Sequence, residues 1–110
     1  MAAHTSEIQL QIDLDENRVP EAIQWHAPDS GVQHSDTKAT MLSVWDEQAQ
    51  ETLRIDLWTK KMPVDQMKKY IYQNVLALAD TLEKAAGEQE RAAELRNYAA
   101  QLGEKLQVLR

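Results

Sequence analysis

The sequence predicts an α+β fold: a four-stranded antiparallel sheet followed by an antiparallel two-helix hairpin packed on one face, in the order β-β-β-β-α-α. Three observations predict it. Apolar and polar residues alternate in short runs through the first half of the chain, the period of a strand with one buried face. Beyond Pro63 the apolar period lengthens to that of a helix, in two stretches of similar length that part at Gly87,. All strands precede all helices, which places the helices together on one side of an antiparallel sheet.

Ser6 to Leu14 alternates, with Ile8, Leu10, Ile12 and Leu14 on one face and Gln9, Gln11 and Asp13 on the other. The residues DENRVP then read as a turn, with Pro20 kept out of a central ladder position. Ala22 to His26 is a second strand whose core face carries Ile23 and Trp25, and the two form a hairpin. Ala27 to Thr37 brings Pro28, Asp29 and Gly31 close together, which is turn chemistry, and is read as an exposed connection.

Thr40 to Asp46 and Thr52 to Trp58 are the third and fourth strands, joined by DEQAQE. Leu53, Ile55 and Leu57 are expected to face the core and Arg54, Asp56 and Trp58 to face away. The third strand admits two facings one residue apart, since either Leu42 and Val44 or Met41 and Trp45 could point inward, and such a slip reverses the whole strand. Leu42 and Val44 inside, opposite Ile55 and Leu53, is the preferred reading. Both faces of this strand are then partly apolar.

Met62-Pro63 opens the first helix, with proline in the first turn and Asp65 at the positive end of the dipole. Met67, Ile71, Val75, Leu78 and Leu82 form its stripe,. Gly87 ends it. The second helix runs from about Glu88 to Val108, with a stripe of Ala92, Leu95, Ala99, Leu102, Leu106 and Leu109. Each helix is about 21 to 24 residues, roughly 30 to 35 Å, and the short joint makes them an antiparallel pair. Gly103, inside the second helix, should cost about 1 kcal/mol relative to alanine and weaken the last turn.

At 110 residues the chain reads as one domain, 1–110,. It has no cysteine, so disulfides, thiolate metal sites and thiol nucleophiles are excluded and a reducing compartment is the simpler reading. The N-terminal MAAHTSEIQLQIDLDENRV shows no basic region followed by an apolar run, no lipidation motif and no membrane span,. A cytoplasmic location is expected. Residues 1–62 hold eleven acidic and five basic side chains, whereas residues 63–110 hold seven of each, so the β half carries the net charge of −6. Such a surface repels nucleic acid, whose binding depends on lysine and arginine at phosphates, and favours a basic protein patch.

Candidate chemistry is sparse. Asp13, Asp15 and Asn17 open a calcium-loop pattern, but Arg18 stands where the loop needs glycine and Gln24 where it needs a bidentate glutamate,; a polar turn is the better reading. His4, His26 and His34 lack helical ligand spacing. No carboxylate pair stands out as acid and base. The serines Ser6, Ser30, Ser35 and Ser43 lie in no nucleophile elbow. With three glycines in all, a phosphate-cradling loop has no material. The expectation is a protein without catalytic activity, cofactor or metal. Met41, Trp45, Asp56 and Trp58 instead share the strand face opposite the core. Tryptophan and methionine are enriched at partner surfaces, so these four are the candidate partner-binding residues. The 27–37 loop, a homodimer mate or a foreign protein could each cover them.

The residues ATMLSVWD, LRIDLWTKKMPVDQMK and IDLDENRVPEAIQW carry a resemblance. Over residues 6 to about 100 the chain resembles the gliding motility-associated GldC family, small proteins of gliding Bacteroidetes. The matching blocks include the rarely used Trp25, Trp45 and Trp58. The resemblance implies an accessory component of gliding motility without catalytic residues, acting beside other gliding proteins such as the lipoprotein GldB. The Ala-rich C-terminal helix is the least distinctive part. Besides this binding-protein reading, the element order is similar to that of the export chaperone SecB, an analogy of fold order alone. A small enzyme or ligand carrier would need a pocket lined, for example, by His26, Arg54 and Asp56.

Overall fold

The computed structural model describes residues 2–109. The chain divides into two compact units, Met1–Met62 and Pro63–Arg110.

The first unit holds five strands in two antiparallel sheets, not four in one. β1 (Gln9–Leu14), β2 (Pro20–Ala27) and β3 (Val32–Thr37) form the first sheet in that order, and β4 (Ala39–Asp46) and β5 (Glu51–Trp58) form the second. The expected loop over 27–37 is therefore mostly a strand. Its turn residues are used up within Pro28–Ser30, a single 3-10 turn that Gly31 closes at φ +78, where a residue without Cβ bears no strain. The remaining VQHSDT pairs with β2 although it is polar, because it lies at the edge of its sheet and only Val32 and Thr37 are half-buried.

Ile23, at the middle of the central strand β2, is the largest fully buried side chain among the described residues, and stands opposite Ile12 on β1 and Thr37 on β3. Both ladders of this sheet are interrupted. One shift lies between Asp13 and Leu14, where Pro20 enters the strand, and another between Trp25 and Ala27. At the second, Gln33 and His34 oppose the single residue His26, a bulge with His34 at φ +49,.

The turn between β1 and β2 is built on Asp15. Its Oδ1 accepts the amides of Asn17 (2.8 Å) and Val19 (2.9 Å), and the Lys60 ammonium lies 3.4 Å from Oδ2. The acidic run is thus a polar turn of the asparagine–aspartate type.

The second unit is a helical hairpin. α1 (Val64–Ala86) starts directly after Pro63 and ends at Gly87, which sits at φ +69 and donates its amide to the Glu83 carbonyl. α2 (Gln89–Leu106) follows after two residues. The stripe read for α2 is borne out at Ala92 and Ala99, which are fully buried, whereas the closest approach of the helices uses residues outside both stripes. Tyr72 of α1 packs on Gly103 of α2. Two and three turns on from Tyr72, on the same face, Ala79 is fully buried and Glu83 receives Arg96 of α2 at 2.9 Å. On α2 the buried residues are Ala92, Ala99 and Gly103. Small side chains let the helix backbones approach; of the bulkier α1 stripe, Met67, Val75 and Leu82 are half-buried, whereas Ile71 and Leu78, expected in the core, are exposed. Gly103 is therefore a packing point, and α2 continues through it to Leu106.

Candidate functional site

The β4–β5 ribbon presents the candidate surface. Eight residue pairs run without interruption from Ala39↔Trp58 to Asp46↔Glu51. Leu42 stands opposite Ile55 and Val44 opposite Leu53, the preferred register. Asp46 shapes the connecting turn: its Oδ1 accepts the Gln48 amide at 3.2 Å and its carbonyl accepts the Gln50 amide at 2.8 Å, with Gln50 at φ +54. At the other end the Thr59 amide continues the ladder onto the Lys38 carbonyl.

The ribbon has two faces. The aliphatic one carries Leu42, Val44, Leu53, Ile55 and Leu57. The expectation that Leu53 and Ile55 lie in the core is overturned: they are 56% and 54% exposed, Val44 is 52% exposed, and only Leu57 is half-buried. Period-two alternation reports that residues share a face, and it holds whether or not another layer covers that face. Clustered, exposed aliphatic side chains on a regular ribbon are uncommon on a surface that works alone.

The other face carries the four residues singled out in the sequence. Met41 is half-buried and directly opposite Asp56; Trp58 is opposite Ala39 and diagonal to Met41, within side-chain reach,. Trp45 is opposite Thr52. Trp45 and Trp58 therefore sit at opposite ends of the ribbon, six residues apart along β5 or roughly 20 Å, and both are more than half exposed. Between them Arg54 Nη2 contacts Asp56 Oδ1 at 3.0 Å in the open. The surface is two aromatic ends with a neutralised charge pair between, rather than one aromatic cluster.

The other candidate residues separate. His26 stacks on His34, ring centroids 4.2 Å apart and planes 22° apart, and its Nδ1 accepts the His34 amide at 3.3 Å. That pair forms because β3 exists, so a reading that made 27–37 a loop could not find it. Val32–Thr37 is polar after its first residue and carries no period-two apolar signal that would have revealed the strand. His26 thus meets His34, whereas Arg54 and Asp56 meet each other. Among the described residues no group of three His, Cys, Asp or Glu side chains is placed to hold a metal ion. No helix among them is long and apolar enough to cross a membrane.

A family model described as gliding motility-associated protein GldC-like matches residues 20–108. The chain belongs to this GldC-like family. The match runs from β2 to the end of α2, through both units and the whole β4–β5 ribbon. It starts later than the resemblance read over residues 6 to about 100, leaving out β1, and it includes the Ala-rich helix. Neither the curated proteins nor the solved structures contain a match to this GldC-like chain.

Proposed function

We propose that this GldC-like protein is a non-enzymatic accessory component of bacterial gliding motility that works in the cytoplasm by binding other proteins of the gliding machinery. Membership of the GldC-like family supports the motility assignment. The observation that carries the binding role is the uncovered β4–β5 ribbon, with Trp45 and Trp58 exposed at its ends and an ion pair between them. Exposed tryptophans beside neutralised charge match the composition of protein interfaces.

The test is capture of partners from a gliding host on immobilised native chain and on a folded Met41→Ala/Trp58→Ala variant. Loss of a gliding component from the variant supports the reading. Equal recovery of the same component counts against this face.

A second reading, a SecB-like chaperone or export-associated binder, rested on four strands before two helices. The fifth strand removes that match of element order. The exposed aliphatic face of Leu42, Val44, Leu53 and Ile55 still suits low-selectivity binding of unfolded chains,. Suppression of aggregation of an unrelated unfolded protein would favour this reading over the first.

A further inference from the structure

We propose that the free edge of β5 joins two copies of this chain, the two β5 strands pairing antiparallel across a two-fold axis at Ile55. The pairing goes beyond the motility reading and does not depend on it.

The ladder itself defines which groups are available. The Thr59 amide bonds to the Lys38 carbonyl. In an antiparallel ladder such bonded pairs alternate with unbonded ones, so Leu57, Ile55 and Leu53 direct their amides and carbonyls to β4. Thr52, Arg54, Asp56 and Trp58 direct theirs outward, to the edge where β5 has no strand neighbour. A second β5 must use the same four residues, which restricts the registers to those that set outward residues opposite outward residues.

Charge then selects among these registers. With the axis at Ile55, Arg54 of each copy faces Asp56 of the other, Leu53 faces Leu57, and Ile55 faces itself. Shifting one way sets Arg54 against Arg54; shifting the other way sets Asp56 against Asp56. Like charges directly opposite destabilise a pair of strands and opposite charges stabilise it. The sequence of β5 is thus self-complementary in a single register, as a two-fold interface requires. β4 offers no such selection, since its outward residues Ala39, Met41, Ser43 and Trp45 are uncharged.

β5 carries charged side chains but lacks the other usual protections of an exposed edge,. It is eight residues long, contains neither proline nor lysine, and has no bulge, whereas both ladders of the other sheet are interrupted,. All its residues except Leu57 are exposed. A two-stranded ribbon is marginal alone, and three or more strands with an apolar face are the ordinary requirement. Pairing makes a four-stranded sheet, β4-β5-β5-β4, in which Leu42, Val44, Leu53, Ile55 and Leu57 of both copies form one continuous aliphatic face.

Solution mass by sedimentation equilibrium tests the pairing, with circular dichroism confirming that each variant is folded. The native chain should have twice the 12.6 kDa monomer mass. Asp56→Arg or Arg54→Asp alone should weaken the dimer about tenfold or more by setting like charges opposite. The double exchange Arg54→Asp/Asp56→Arg should restore it. Mixing the two single variants should give a heterodimer, since each then meets its opposite charge. A native monomer overturns the proposal. So does a dimer indifferent to the single reversals, or one that neither the double exchange nor the mixture recovers.

Discussion

A Cβ on Gly103 would lie 2.7 Å from Cε1 of Tyr72 and 2.9 Å from Cδ2 of Leu109. Two effects of Gly103→Ala therefore oppose each other. Alanine favours the helix by about 1 kcal/mol, and overpacking costs roughly 1–3 kcal/mol where a ring must shift. Crowding wins against Tyr72, so Gly103→Ala should lower the unfolding free energy of the native chain. With the ring removed in Tyr72→Leu, the same change should raise it. A double-mutant cycle by urea unfolding reads the sign reversal, and equal effects in both backgrounds would show that the ring does not set the helix approach.

Arg96 joins the helices, with Nη2 at 2.8 Å from Asp80 and Nη1 at 2.9 Å from Glu83. Asp80 first, then Glu83, raises the guanidinium further above its ordinary value. Lysine, a point charge, cannot span both carboxylates as the planar fork does. Arg96→Lys should lower the melting temperature at low salt, and the difference from native should shrink as salt rises, because exposed ion pairs are screened. Thermal melts across a salt series check this; a deficit independent of salt would assign the effect to packing.

The amide of Val19 is the main cause that holds the Asp15 carboxyl below its ordinary value, with Asn17 and Lys60 adding to it and partial burial opposing it. A lowered folded value means that the charged form stabilises the fold. That contribution is complete above the unfolded value, about 3.9, and is lost as pH falls through the lower folded value. Asp15→Asn keeps the acceptor oxygen but not the charge. The native chain should exceed this variant in stability at neutral pH, and the gap should close only below about pH 4. Paired melts over that range check it, and a gap constant with pH would exclude the ionisation.

These sites differ in how far the sequence revealed them. The register of Leu42 on Ile55 and Val44 on Leu53 was the preferred one of two, because it keeps the aliphatic residues on one face, but the exposure of Leu42 and Val44, expected inside, was not legible. Gly87 was legible as the end of α1, since a chain reversal at positive φ calls for glycine,. β3 was not, because an edge strand needs no apolar alternation when most of its residues are exposed. The helix interface was legible only in part, since Ala92 and Ala99 lay in the stripe read for α2 but Tyr72, Ala79 and Gly103 lay in neither stripe. Leucine and isoleucine dominate an amphipathic pattern, whereas α1 and α2 meet through Tyr72, Ala79, Ala92, Ala99 and Gly103, where smallness decides the distance of approach. The candidate surface was legible as a set of residues on one face. Its division into two tryptophan ends required the pairing of Trp45 with Thr52 and Trp58 with Ala39.

The central claim is that the β4–β5 ribbon is an uncovered surface whose β5 edge accepts another strand. Amide hydrogen exchange along β5 tests it most directly, comparing the native chain with Asp56→Arg, in which pairing is opposed. In the variant, the amides of Leu53, Ile55 and Leu57 should be protected by β4 while that of Arg54 exchanges freely; in the native chain, Arg54 should become protected as well. An Arg54 amide equally protected in both proteins, or equally free in both, would contradict the account.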